Sequence, residues 1–141
     1  MKLDKEQIKE IIPHRDPFLL IDEIEEMEPG SHVVAYKYMK EDEFWFKGHF
    51  PGQPIVPGVL MVEMMAQAGC AAMLALPENK GKIGYFAGID KAKFRRPVVP
   101  GDKLRIEVEI GSFSHSIGKG KGICTVNGEK AVEAEIKFAI K

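Results

Sequence analysis

From Val59 to Leu76 the chain carries an apolar run, VLMVEMMAQAGCAAMLAL, broken only at Glu63 and Gln67. Leu, Met and Ala dominate it, and no proline follows until Pro77, so a long helix is predicted. The run is apolar on every side, which places such a helix inside the fold rather than on its surface. A membrane span needs roughly 20 apolar residues, and here two polar side chains interrupt with no second span to cover them. Its mid-chain position also excludes a signal peptide. Ala66, Ala68, Gly69, Ala71, Ala72 and Ala75 leave room for other backbone to approach closely.

Elsewhere the pattern has a period of two. Leu104, Ile106, Val108 and Ile110 alternate with Arg105, Glu107 and Glu109, and Val132, Ala134, Ile136 and Phe138 alternate in the last stretch. Both read as half-buried strands. Ile123–Val126 and Lys130–Ile140 flank Asn127-Gly128, a strong hairpin signal. Ser31–Met39 and Ile83–Phe94 are further strands, the latter with Gly84 and Gly88 marking bends or close backbone approach. Phe18–Ile21 begins a strand, and Glu43–Phe46 is expected to be extended. Asp4–Ile12 is a short amphipathic helix with Asp4 as N-cap, Gln7 completing the box, and a stop at Pro13. Pro77–Lys82 reads as a loop, and Pro97–Asp102 as a turn. Gly118–Gly122 resembles a phosphate loop only superficially, since no strand–loop–helix surrounds it; a flexible edge strand is the stronger reading. One buried helix and roughly six mostly antiparallel strands make an α+β fold, a single sheet curled around the helix.

Length and composition narrow the picture. The 141 residues suit one domain, residues 1–141, with a core of its own. Twenty basic and 21 acidic residues nearly cancel, giving no global case for nucleic acid or an anionic membrane. Cys70 and Cys124 are far apart, and neither disulfide nor zinc spacing appears, so a reducing, cytoplasmic setting and no metal are expected.

Glu63 is the anomaly. It shares a helix stripe with Gln67, and a buried carboxyl is costly unless paired, hydrogen-bonded or neutralised. It is either a structural carboxylate, at backbone donors or a subunit contact, or a catalytic acid. The second reading gains from His49, at the far end of the stiff run HFPGQPIVPG that opens the helix. His14, His32 and His115 read as structural or exposed. Met61, Met64, Met65 and Met73 read first as core packing.

The run from Gly48 to Gly69, GHFPGQPIVPGVLMVEMMAQAG, resembles the signature of (3R)-hydroxyacyl-[acyl-carrier-protein] dehydratases, the FabZ family. Pro13-His14-Arg15 with Pro17–Leu20, Gly88–Lys91 and Arg96–Asp102 match it too, in order, over nearly the whole chain. Asp16 departs, where relatives often carry an aromatic. The resemblance implies a hot-dog fold and homodimers, usually grouped as a trimer of dimers. It implies removal of water from a β-hydroxyacyl thioester on acyl carrier protein, with no cofactor. It carries the catalytic pair onto His49 and Glu63, and the glycine whose N–H meets the thioester carbonyl onto Gly58. An acyl tunnel is expected, with Phe50, Val59, Met64, Tyr85 and Phe86 as its lining.

The chemistry suits these residue types. A proton α to a thioester needs a base tuned near neutral pH, which suits His49. The developing enolate needs a fixed donor, which Gly58 at the helix start can supply. Hydroxide leaves poorly, so Glu63 would protonate it, directly or through water. Lys91, Lys93 and Arg95 alternate with Ala92, Phe94 and Arg96, so three cations are expected on one strand face. With Arg96, Lys119 and Lys121 they form a candidate dock for the phosphopantetheine-bearing acidic carrier. Each site is expected to draw His49 from one chain and Glu63 from its partner. A dehydratase/isomerase relative would typically carry Asp for Glu63; a hot-dog thioesterase or a non-catalytic thioester-binding regulator fits the His–Glu pair less well.

Overall fold

The computed structural model describes residues 2–141. Six strands form one sheet in the order β1-β2-β4-β5-β6-β3, every neighbouring pair antiparallel. They are β1 (Glu23–Glu28), β2 (His32–Tyr38), β3 (Gly84–Phe94), β4 (Lys103–Ser114), β5 (Ile117–Val126) and β6 (Glu129–Ile140). The long helix is α2 (Gly58–Leu74), and a short α1 (Lys5–Lys9) precedes the sheet. Every residue of α2 from Met64 to Leu74 is buried. Its neighbours are the inward side chains of the sheet, among them Val33, Ala35, Leu104, Ile106, Val108, Ile136 and Phe138. This is the α+β hot-dog arrangement expected from the sequence. No helix among the described residues is long and apolar enough to cross a membrane.

Local chemistry accounts for the ends. Asp4 caps α1, its carboxylate accepting from the Gln7 backbone N–H while the Gln7 side chain accepts from that of Asp4. The helix stops at Lys9, short of the expected Ile12, although Ile8 and Ile12 both reach the core. Asn127 and Gly128 both have positive φ and close the β5–β6 hairpin, the twist that tight hairpins prefer.

Four segments differ from the sequence expectation. Phe18–Ile21 is not a strand. Leu19, Leu20 and Ile21 are buried, but their stretch hydrogen-bonds to a helix side chain rather than to a neighbouring strand. The first strand is instead Glu23–Glu28, where a bulge between Ile24 and Glu26 puts buried Ile24 and Met27 three apart and erases the period of two. Glu43–Phe46 is a set of turns. Those turns bring Glu43 to 3.1 Å from Lys37, which points into the core from β2 and lies 3.5 Å from Asp22 as well. The Pro77–Lys82 loop also contains a 3-10 turn at Pro77–Asn79.

The fourth is the glycine-rich run. β5 is an interior strand, paired on both sides, and not an edge. Its glycines face inward, where there is no room for a side chain. A Cβ on Gly122 would meet Met65 Sδ at 2.5 Å, and one on Gly118 would meet the Phe138 ring at 2.5 Å. Phe138 is fully buried and rigid, so Gly118→Ala overpacks the core. The substitution is expected to cost about 1–3 kcal/mol, read as a lower urea midpoint at unchanged slope.

Among the described residues only β1 and β3 are edges. On β3, Phe86, Ile89 and Phe94 lie opposite the core residues Phe138, Ile136 and Val132, so they face inward. They are nevertheless 38, 50 and 55 % exposed, because α2 covers that edge only in part, with Gly58 against Phe94 at one end and Cys70 against Gly84 at the other. The single chain thus leaves an apolar strip beside an unpaired strand.

Candidate active site

The stretch between the turns and α2 folds into a small closed loop. Phe50 and Gln53 exchange backbone hydrogen bonds of 2.9 and 2.8 Å, and the Ile55 N–H donates to the His49 carbonyl at 2.8 Å. The His49–Phe50 peptide is cis. The His49 ring returns the contact, with Nδ1 2.8 Å from the Ile55 carbonyl oxygen. A carbonyl can only accept, so Nδ1 carries the proton and the neutral ring leaves Nε2 with a free lone pair. The half-buried imidazole is further fixed by the Phe50 ring, stacked at 4.0 Å. Val56 N–H, bonded to the Val98 carbonyl at 2.8 Å, pins the loop to the Pro97–Asp102 turn.

Pro57 is the N-cap of α2, and no side chain among the described residues caps the helix. The Leu60 N–H donates to the Pro57 carbonyl at 3.0 Å, while those of Gly58 and Val59 stay open as donors at the positive end of the helix. Gly58 is dictated by contact: a Cβ there would lie 2.6 Å from the Phe94 ring. His49, Gly58, Val59, Phe94, Arg95 and Arg96 share one pocket of about 460 Å³.

Glu63 does not line that pocket. Its Oε2 accepts from Gln67 Nε2 at 3.0 Å and lies 3.8 Å from His14 Nε2. Gln67 is wholly buried and fully used: Oε1 accepts from the Leu20 N–H at 2.9 Å, and Nε2 also donates to the Phe18 carbonyl at 2.8 Å. The polar stripe of the helix therefore finds part of its partner within the chain, which ties the Phe18–Leu20 segment to α2. Burial lowers the His14 pKa, with Arg15 adding to the effect and the Glu63 charge opposing it. Burial and the Glu63 charge push the Cys70 thiol up to about 12, so it is no nucleophile near neutral pH.

The remaining predicted residues fall into separate places. Val59 and the Phe50 ring accompany His49, whereas Met64 is sealed in the core. Tyr85 and Phe86 are exposed on the β3 edge, on opposite faces of the strand. A bulge between Asp90 and Lys93, with Lys91 at φ 52°, interrupts the strict alternation, but Lys91, Lys93 and Arg95 still lie against the outward glutamates of β6. Lys91, Lys93 and Lys121 border a second hollow on the outer sheet face with Glu107, Glu109, Glu133 and Glu135. Lys119 lies farther along β5. Carboxylates oppose several of them directly: Lys91 with Glu135 at 3.5 Å, Arg95 with Glu133 at 3.0 Å, Arg96 with Glu129 at 3.0 Å.

The structure separates the three histidines that the sequence grouped together. His115 is exposed at the tip of the β4–β5 hairpin. His32 bonds Glu107 at 2.8 Å on the outer face and, with Arg105, holds that carboxyl below its usual range. His32, Glu107 and Glu109 could together offer ligand atoms to a metal, but Arg105 already neutralises Glu107 at 3.0 Å. His14 alone of the three stands beside Glu63. Its only sequence signal was its place in the proline-bounded turn of the resemblance.

Comparison with known proteins bears on the family and the fold. Residues 12–135 match the FabA-like domain family. The chain is 56% identical over 140 residues to 3-hydroxyacyl-[acyl-carrier-protein] dehydratase FabZ of Clostridium novyi, covering 99% of each. It is 56% identical over 139 residues to the protein of the same name in Oceanobacillus iheyensis, again covering 99% of each. Among solved structures it superimposes on a chain of the dehydratase heterocomplex ApeI:P from Xenorhabdus doucetiae with a TM-score of 0.78, at 20% identity, covering 94% of this chain and 89% of that one.

Proposed function

The chain belongs to the FabZ family of 3-hydroxyacyl-[acyl-carrier-protein] dehydratases, and from that premise we propose that it removes water from (3R)-hydroxyacyl chains on acyl carrier protein in cytoplasmic fatty-acid biosynthesis. The observation that carries the mechanism is the His49 Nδ1–Ile55 contact of 2.8 Å, which frees Nε2 as a base in the pocket that Gly58 opens. His49 takes the α-proton, and the Gly58 N–H holds the oxygen of the resulting enolate. The electron pair then forms the α–β double bond as the β-hydroxyl leaves. Glu63 gives that hydroxyl a proton, so it departs as water. The product is the trans-2-enoyl thioester.

We place the Glu63 of each site in the partner of a homodimer. In support, Glu63 lies outside the His49 pocket, and the uncovered strip of β3 ends at Phe94, a wall of that pocket. Two chains meeting along β3 would cover the strip and bring the second Glu63 across. Three such dimers would form the hexamer. Incubation with a 3-hydroxyacyl-pantetheine tests the reaction: appearance of the conjugated enoyl product is expected. A 3-enoyl isomer, free thiol or no turnover would each assign a different activity.

For the carrier, Arg95 and Arg96 at the pocket mouth and Lys93, which lacks an ion-pair partner among the described residues, form the steering charge. Reversing Lys93 and Arg95 to Glu is expected to raise KM for carrier-bound substrate roughly tenfold at low salt while sparing a short pantetheine analogue. Equal loss on both substrates would remove the docking role.

A further inference from the structure

Two donors converge on one oxygen of Glu63. Gln67 Nε2 is 3.0 Å from Oε2, and His14 Nε2 is 3.8 Å from the same atom. His14 Nδ1 is sealed from solvent with no hydrogen-bond partner among the described residues. Placing the ring proton on Nδ1 would bury an orphan N–H and turn a lone pair toward the carboxyl. Placing it on Nε2 instead points an N–H at Glu63. At 3.8 Å this contact is not yet a hydrogen bond. Catalytic hydrogen bonds tighten in the Michaelis complex.

We propose that His14 is a positioning residue: together with Gln67 it fixes Oε2 of Glu63 as the acceptor, so that the transferable proton sits on Oε1 and meets the departing hydroxyl. The proposal rests on the reading of Glu63 as the acid. A carboxyl held this way transfers from one defined atom, and both donors then face the charge that remains on the carboxylate. The rest of the chain is arranged to hold the pair. Gln67 is locked by the Phe18 and Leu20 backbone, and His14 sits four residues upstream in the Pro13–Pro17 turn, whose Arg15 bonds the Ile12 carbonyl at 3.0 Å. Around the His14 ring the charged neighbours are Glu63 on α2 and Arg15 on its own turn.

A double-mutant cycle with the full chain tests the assignment, using a 3-hydroxyacyl-pantetheine as substrate. His14→Leu should lower kcat roughly ten- to a hundredfold with KM unchanged, the size of a lost hydrogen bond to a charged group. His14→Gln, whose amide nitrogen reaches the Nε2 position, should restore kcat to within about threefold of wild type. In a Glu63→Gln background, where no proton remains to be aimed, His14→Leu should change kcat by less than about twofold. Equal losses in both backgrounds, or none in the wild type, would overturn the proposal. Glu63→Gln with normal turnover would instead reject Glu63 as the acid, and the two failures are thereby distinct. If His14→Leu does not fold, His14→Asn replaces it: its shorter amide reaches only the Nδ1 position. Equal activity of the Asn and Gln variants would overturn the proposal as well.

Discussion

Glu63→Gln is expected to lower kcat by roughly 10²–10⁴, the range for removing a positioned general acid. At about 1.36 kcal/mol per tenfold, that is about 2.7–5.4 kcal/mol of lost transition-state stabilisation. The amide keeps the shape of the carboxyl and still offers an oxygen to Gln67 Nε2, now at 3.0 Å from Oε2. The link from Gln67 to the Phe18–Leu20 segment is therefore preserved, and with it the packing of the buried stripe. Thermal melting should shift little and KM should stay near its original value, because the amide removes only the proton. A kcat loss accompanied by collapse of the melting transition would place Glu63 in the fold instead. Near-normal turnover would leave it no chemical role.

Homodimers of His49→Ala and of Glu63→Ala should each be inactive, whereas their mixture should regain activity. If each site combines His49 of one chain with Glu63 of the other, a mixed dimer has one site lacking both residues and one lacking neither. Random pairing at equal amounts then restores about a quarter of all sites, by the reciprocity of a two-fold interface. The single chain motivates the test. His49 and Gly58 share a pocket, Glu63 lies beside His14 outside it, and the inward apolar side chains of β3 are only partly covered. A site made within one chain cannot be rescued, since every chain lacks one member. Activity that stays at the level of the separate variants, with mixed dimers shown to be present, would dispose of the shared site.

The family's signature and the hydrophobic period carried most of the architecture. An all-round apolar run must be enclosed, and strict alternation from Leu104 to Ile110 and from Val132 to Phe138 must be half-buried sheet, because each pattern is local. The expectation failed where a distant partner decides. Phe18–Ile21 has the residues of a strand, but the Gln67 side chain, 47 positions from Leu20, takes its backbone groups. β1 hides behind a bulge, and a bulge is a property of the pair rather than of either strand. Gly118–Gly122 has the composition of a loose edge, yet its glycines are the clearance required by Met65 and Phe138 across the core.

The same division runs through the site. Sequence alone identified His49 and Glu63 as candidates, because a histidine before a stiff proline–glycine turn and a carboxyl in an apolar helix are local anomalies. It also put the helix start at Gly58, since proline is tolerated at a helix's first turn and the apolar run follows Pro57-Gly58 directly; the structure makes Pro57 the N-cap. Only the tertiary structure decided which histidine nitrogen is free, through a carbonyl six residues on. Only it distinguished His14 from His32 and His115, by standing one of them against Glu63. Only it showed that the cations of β3 face the carboxylates of β6, because cross-strand register cannot be read from one strand. Burial pattern is written in neighbouring residues, whereas hydrogen-bond partners and charge pairs depend on where distant segments meet.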